Sequence, residues 1–365
     1  MKMISFLIII FIIYSNSQDY TIAEIYKNDK RGNKAVEKLL NDEGIKRDKN
    51  LDYTCGVFDE NYDIVATGSC FGNTLRCIAV NKDHQGEGLV NKLFSHLLQY
   101  QFERNNFHIF LYTKYTSSKY FGDLGFYEIV SIKDQIVFME NKKTGFQDYL
   151  KELSKSKKEG EKIAAIVMNA NPFTLGHQYL VEKASKENDV LHLFIVSEDK
   201  SIFPFKIRKK LVMEGTAHLK NIIYHDSGPY IISSATFPSY FQKDENDVIE
   251  SHANIDLEIF VKIAKYLNIN VRYVGEEPKS VVTGIYNKLM ETKLPNYGIN
   301  CVIVPRKNEI SGEIISASNV RKLIKEENFD LIKELVPEST YKYLMSPEAK
   351  QIREKIKQIE DVKHY

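Results

Sequence analysis

The residues with the clearest capacity for chemistry are Asn169-Ala-Asn-Pro-Phe-Thr-Leu-Gly-His177. They follow an apolar run, Ile163–Met168, and open a segment of helical pattern, Gly176–Lys186. A helix that begins where a strand ends presents free N–H groups and a positive dipole end, and both favour phosphate. Thr174 and His177 fall one turn apart, so both can donate to phosphoryl oxygens. Gly176 lets a phosphate or a base approach the backbone closely. Pro172 stiffens the turn.

Other features bear on chemistry more weakly. Arg208 is a candidate phosphate contact, with a charge on a helix surface as the alternative reading. Asp83-His-Gln-Gly-Glu-Gly-Leu89 places a Gly-x-Gly between a strand and a helix; alone, such a pair marks a tight turn. Cys55, Cys70, Cys77 and Cys301 form no Cys-x-x-Cys pair and no zinc spacing. No metal site is expected, and the thiols are expected reduced and packed.

These residues need elements to hold them. At 365 residues the chain predicts two domains, three at most. With 43% apolar and 27% charged residues it is ordinary globular material, neither disordered, collagen-like nor coiled coil. Fifty basic against 49 acidic residues leave a net charge of +1, without the basic surplus of a nucleic-acid binder. The basic stretch Lys206–Lys210 is isolated and lacks base-stacking aromatic interleaving.

Residues 18–145 carry short elements. Leu51–Phe58 and Ile64–Cys70 read as a hairpin, Thr74–Val80 as a third strand and Phe107–Tyr112 as another. Leu89–Gln101 has helical periodicity, with Leu89, Leu93, Leu97 and Tyr100 on one face. Residues 146–161 are charged and read as a linker helix with a solvated face. From 162 to 345 the pattern changes. Ile163–Met168 and Val190–Val196 are continuous β-branched runs, as in buried parallel strands. Helical segments follow each, Gly176–Lys186 and Phe205–Ala217, and Val271–Val274 and Cys301–Val304 read as further strands. This alternation predicts a doubly wound, Rossmann-like parallel sheet. Residues 346–365 read as a charged helical tail.

Thr174-Leu-Gly-His177 resembles the first signature of the nucleotidyltransferase superfamily. Its second signature is matched by Ile315-Ser-Ala-Ser-Asn-Val-Arg321, which also opens a helix. Met168-Asn-Ala-Asn-Pro-Phe173 departs from the Gly-x-Phe-Asp-Pro of phosphopantetheine adenylyltransferases and resembles enzymes that adenylate acetate. Among these, Leu191–Arg208, Tyr230–Phe241, Asp256–Phe260, Val274-Gly-Glu-Glu-Pro278 and Val282–Asn287 resemble the citrate lyase ligase family, over about residues 19 to 345. Asp83–Leu89 and Phe121-Gly-Asp-Leu-Gly-Phe126 resemble the pyrophosphate loop and the Gly-Phe ending of GNAT acetyltransferases, with Asp83 in place of the usual Gln or Arg. The implied fold is α/β: a GNAT-like mixed α+β domain followed by a Rossmann-like nucleotidyltransferase domain.

The resemblance implies an ATP-dependent, AMP-forming acid–thiol ligase. Acetate would attack the α-phosphate of ATP, with Mg²⁺ carried on the nucleotide. The thiol on a phosphoribosyl-dephospho-CoA arm of the citrate lyase acyl carrier protein would then take the acetyl group. Asn171, Phe173, Thr174, Gly176, His177, Arg208, Ser316, Ser318 and Arg321 would bind ATP, with His177 and Thr174 as the catalytic pair. Asn169 and Asn171 are candidates for orienting acetate or a water, and Asn171 is equally a turn cap. Backbone N–H groups of Gln85, Gly86 and Gly88 would hold the CoA-like arm. The alternatives are a tRNA cytidine acetate ligase, a GNAT acetyltransferase using acetyl-CoA, and a nucleotide-binding regulator without turnover. The neutral charge and the first domain disfavour the first of these, and the intact signatures disfavour the second.

The apolar run Met3–Tyr14, after Lys2 and before Ser15-Asn-Ser17, has the pattern of a secretory signal and is too short to span a bilayer. After it the chain has no Asn-x-Ser/Thr site, and the chemistry requires ATP. A cytoplasmic protein without stable membrane association is expected. The run then reads as an upstream extension or a misassigned start.

Overall fold

The computed structural model describes residues 20–48, 51–198, 201–231, 237, 245–276, 281–305 and 315–359. The apolar run at the N-terminus lies outside them. The chain divides into two compact units, the first reaching Lys143 and the second beginning at Thr144.

The first unit runs β1 (Thr21–Glu24), α1 (Lys30–Asp42), β2 (Tyr53–Phe58), β3 (Ile64–Phe71), β4 (Thr74–Val80), α2 (Leu89–Glu103), β5 (Phe110–Lys114), α3 (Ser118–Asp123), β6 (Tyr127–Ile132) and β7 (Ile136–Glu140). The sheet order is β1-β2-β3-β4-β5-β7-β6. All neighbours are antiparallel except β4 and β5, which pair in parallel only at Thr74↔Phe110 and Leu75↔Leu111. The expected apolar face of α2 is buried, with Leu89, Leu93 and Leu97 at 2% exposure or less. Its approach needs Gly68 on β3, where a Cβ would stand 2.7 Å from Leu97 Cδ1. Inside this unit Arg76 and Asp48 form a buried ion pair at 2.6 Å. All four cysteines are free thiols. Burial pushes the thiols of Cys55 and Cys77 up to about 12.

The second unit runs α4 (Gly145–Ser154), β8 (Ile163–Met168), α5 (Leu175–Glu187), β9 (Val190–Ile195), α6 (Phe205–Gly215), β10 (Ile222–Asp226), α7 (Glu245–Leu267, of which residues from Ile249 belong here), β11 (Val271–Gly275), α8 (Val281–Lys293), β12 (Asn300–Val304), α9 (Ala317–Lys325), α10 (Phe329–Leu335), α11 (Glu338–Met345) and α12 (Lys350–Gln358). Its sheet has the order β10-β9-β8-β11-β12 and is parallel throughout. Chain direction along the sheet reverses at β8, whose neighbours are the strand after it and a strand from much later. A parallel α/β sheet binds ligands at such a switch point, beyond the carboxyl ends of the strands. The Asn169–His177 motif leaves β8 there.

Two expectations about the edges of this unit change. The helix expected over 146–161 ends at Ser154, and its Phe146, Leu150 and Leu153 are buried. Rings of Phe146 and Tyr149 lie 4.8 and 4.9 Å from Tyr230 of the same unit, so α4 is packed structure and only the charged stretch after it is solvated. The charged tail also carries an apolar stripe: Ile352 and Ile356 of α12 sit in the same core as Ile166 and Leu193.

Candidate functional site

The turn after β8 is built from side chains that bond to backbone. Ala170 adopts a φ of 51°, uncommon for a residue with a Cβ, and the Asn171–Pro172 peptide is cis. Thr174 then caps α5 in a capping box. Its hydroxyl accepts the His177 N–H at 3.3 Å, and its own N–H donates to His177 Nδ1 at 3.1 Å. A backbone N–H is only a donor, so Nδ1 is the accepting nitrogen and the ring proton resides on Nε2. The Thr174 hydroxyl, 2.9 Å from Nδ1, therefore donates to it. The capping box thus fixes the orientation of the His177 ring.

Phe173 supports this ring from below. It is fully buried and stacks on His177 at 5.8 Å between centroids. It lies so close to the end of α6 that a Cβ on Gly215 would be 2.6 Å from its Cε1. The Phe173 side chain is therefore core packing beneath His177.

The second signature meets the first. A Cβ on Gly176 would stand 3.3 Å from the Ile315 carbonyl oxygen, which shows how closely the two segments approach. Ser316 caps α9 by accepting the Asn319 N–H at 3.1 Å, and its hydroxyl is 3.1 Å from that of Ser318. Arg321 is 3% exposed, and its Nη1 donates at 2.6 Å to the carbonyl of Asn171, 150 residues earlier. Asn171 in turn accepts the Phe203 N–H at 3.0 Å on Oδ1, which ties the turn to the loop before α6. Asn169 exchanges hydrogen bonds with Ser201 Oγ at 3.1 and 3.2 Å.

Arg208 is not the surface charge of the alternative reading. Its guanidinium is fully buried and donates to the carbonyls of Phe203, Asn169, Val196 and Glu198 at 2.6–2.9 Å. The sequence contained a signal for this: Arg208, Leu211, Val212 and Gly215 recur at helical spacing and are the buried residues of α6. Sequence reasoning also missed Ser197 and Ser227. Ser227 Oγ accepts the Ser197 N–H at 2.9 Å, and Ser197 Oγ accepts the Gly228 N–H at 3.1 Å, lacing the ends of β9 and β10 together. Ser233, Ser234 and Thr236 lie outside the described residues.

Two buried features of this unit stand apart from the motif. His192 Nδ1 and His225 Nε2 are 2.8 Å apart, and burial lowers these imidazoles to about 4 and about 3. Arg272, 6% exposed, has Nε and Nη1 without partners beside a cavity of about 20 Å³ that Asp256 also lines, with room for a water. A cleft of about 620 Å³ lies between α6 and α11 and shares only Gln178 with the helix of the motif.

In the first unit, Gly86 and Gly88 have φ of 90° and 76°, where an L side chain is strained. Gly88 caps α2 without a side-chain bond, so the first-turn amides are not covered by a capping side chain. The Gln85 N–H closes a turn onto the Lys82 carbonyl at 3.4 Å, so it is less available to a ligand than expected. Around this loop Tyr20 donates to Glu87, His84 Nδ1 lies 3.2 Å from the same carboxylate, and Lys92 donates to the Tyr20 carbonyl.

Motif placement and sheet order define the class: a mixed α+β unit followed by a parallel α/β unit whose helix-opening motifs meet at the switch point of its sheet. Comparison with known proteins narrows it. Residues 163–344 match the model of the citrate lyase ligase C-terminal domain. The chain is 38% identical to a [citrate [pro-3S]-lyase] ligase of Haemophilus influenzae over 85% of this chain and 94% of that one. It is 37% identical to the Klebsiella pneumoniae enzyme of the same name over 87% and 94%. A GNAT-family acetyltransferase structure from Staphylococcus aureus is similar at 18% identity and a TM-score of 0.28, covering 34% of this chain and 99% of that one. The chain belongs to the citrate lyase ligase family.

Proposed function

We propose that this protein adenylates acetate with ATP and passes the acetyl group to the thiol of the citrate lyase acyl carrier protein. The observation that carries the reading is the meeting of two distant signatures at the switch point of the parallel sheet, through Arg321 on Asn171 and Gly176 against Ile315. The names of the relatives supply the second substrate.

The reaction needs no protein nucleophile. The acetate carboxylate attacks the α-phosphorus in line, the bond to the β-phosphate oxygen breaks, and pyrophosphate leaves. The carrier thiol, losing its proton, then attacks the acetyl carbon and AMP departs with the electron pair. This chain positions the reactants and stabilises phosphoryl charge. His177 donates from Nε2, and the first-turn amides of α5 add the helix dipole. Ser316 and Ser318 at the N-terminus of α9 cradle the departing pyrophosphate, and Arg321 holds the two turns in register. Mg²⁺ would arrive on the triphosphate, where it would neutralise charge. Gly86 and Gly88 offer the start of α2 to the pyrophosphate of the carrier arm.

The proposed use of ATP supports a cytoplasmic reaction. No helix among the described residues is long and apolar enough to cross a membrane. The test is the full chain with ATP, Mg²⁺, acetate and thiol-form citrate lyase. Acetylated carrier with equimolar AMP and pyrophosphate is expected. Acetylation from acetyl-CoA without ATP would replace this reading with the acetyltransferase, and ATP binding without any product would replace it with the regulator.

A further inference from the structure

We propose that Arg208 is a positioning residue: it fixes the carbonyl ends of β8 and β9 and the following loop, so that the Thr174–His177 turn is preformed. The inference rests on the acetate-adenylating reading.

A guanidinium has five N–H donors in a rigid fork. Here four of them meet carbonyls from four residues in two chain segments. Asn169 directly follows β8, Val196 directly follows β9, and Glu198 and Phe203 belong to the loop between β9 and α6. The carboxyl ends of parallel strands present carbonyl oxygens, which repel a triphosphate. Arg208 draws two of these terminal carbonyls onto a cation inside the protein, while the amides of α5 are left for the anion. The same loop reaches the motif directly, because the Phe203 N–H donates to Asn171 and Ser201 bonds to Asn169. A continuous path therefore runs from Arg208 through Phe203 and Asn171 to Arg321. In this proposal Arg208 itself makes no contact with nucleotide. The product of the path is the direction in which Thr174 and His177 point.

A residue that places a catalytic donor changes turnover more than ground-state affinity, whereas a direct phosphate ligand also changes affinity. The experiment uses full-length Arg208→Lys and Arg208→Gln with ATP, Mg²⁺, acetate and hydroxylamine, following acetyl hydroxamate. Lysine replaces the fork with one point charge and satisfies only some of the carbonyls. Displacements near 1 Å cost about a hundredfold, so kcat is expected to fall about tenfold in Arg208→Lys and about a hundredfold in Arg208→Gln. KM for ATP should stay within about threefold. Amide hydrogen exchange gives a readout independent of activity. Exchange should rise at 169–173 and 196–203 in the variants while α12 stays unchanged.

A raised KM for ATP with unchanged kcat would overturn the proposal in favour of direct phosphate contact. Unchanged kcat in a folded variant would overturn it outright, and so would uniformly raised exchange, the sign of a purely global role. If Arg208→Gln does not fold, Arg208→Lys decides alone. Absence of hydroxamate with the wild-type chain would sink the adenylating reading itself, and the exchange pattern would still report on whether Arg208 fixes the turn.

Discussion

Each unit of this molecule contains a strand, a loop and a helix N-terminus suited to a phosphate group, and the two are built in opposite ways. In the second unit the turn after β8 is fastened by side chains: a Thr–His capping box, Asn171 on Phe203, Arg321 on Asn171 and Arg208 behind them. In the first unit the turn before α2 rests on two glycines with positive φ and no capping side chain. A site that must stabilise charge developing in a transition state gains from donors fixed in advance. A site that only holds a carrier arm needs exposed amides and room for the ligand to approach. The contrast matches the proposed division of labour, with the chemistry at the braced turn and the carrier arm at the open one.

The largest expected effect separates these roles. His177→Ala removes a phosphate donor and one half of the capping box, and pyrophosphate release should fall about a thousandfold. Binding of the carrier protein should persist in a pull-down with that variant. The converse change is Gly86→Glu, which adds a carboxylate and a strained φ to the open loop. Its apparent affinity for the carrier should weaken at least about tenfold, by analogy with the loss of one or two charge-assisted contacts. Acetate-dependent adenylation should stay at the wild-type rate. Unchanged carrier affinity would remove the arm-binding role from this loop.

Two close-packed glycines sharpen the contrast. Gly215→Ala drives a methyl into Phe173, the ring beneath His177, and should cost about 1–3 kcal/mol of stability together with turnover. Gly68→Ala drives a methyl into Leu97 in the other unit and should cost a similar amount of about 1–3 kcal/mol, with adenylation by the folded protein unchanged. Melting curves and steady-state kinetics on the same samples check both.

The smallest effect is acid sensitivity of the second unit. Burial holds His192 and His225 below the ordinary imidazole value of 6.5, His192 at about 4. Between those values the unfolded chain binds protons that the folded chain refuses, so stability rises with pH there. The contribution is complete above about pH 6.5 and is lost progressively as pH falls toward 4. His192→Gln should flatten this slope in melting temperatures measured from pH 7 to pH 4. An unchanged slope would show that the pair does not titrate on unfolding.

Much of the second unit was legible because its strands are continuous apolar runs. Ile163–Met168 is a strand with the bounds read from sequence, and the motif after it stands at the expected end. Elements with little to bury were not legible. β1 exposes or half-exposes all four of its residues, and α1 carries only Val36, Leu39 and Leu40 as buried residues in a largely polar segment. In the site, Thr174, Gly176, His177, Ser316 and Ser318 stand at two helix N-termini that meet, which their motifs implied. The burial of Phe173 and Arg208 was not legible, for one reason. A motif states which residues recur near a ligand, and only packing separates those that touch it from those that hold it. Arg208 sits in the basic segment Phe-Lys-Ile-Arg-Lys-Lys, where charge suggests solvent, yet its spacing to Leu211 and Val212 puts it on the buried face.

The most direct test of the central claim is acetate-dependent exchange of labelled pyrophosphate into ATP by the full chain, without carrier protein. The braced turn is expected to support exchange that requires acetate, persists in Gly86→Glu and is lost in His177→Ala. Exchange that proceeds without acetate, or that survives in His177→Ala, would contradict the assignment of acetate adenylation to this site.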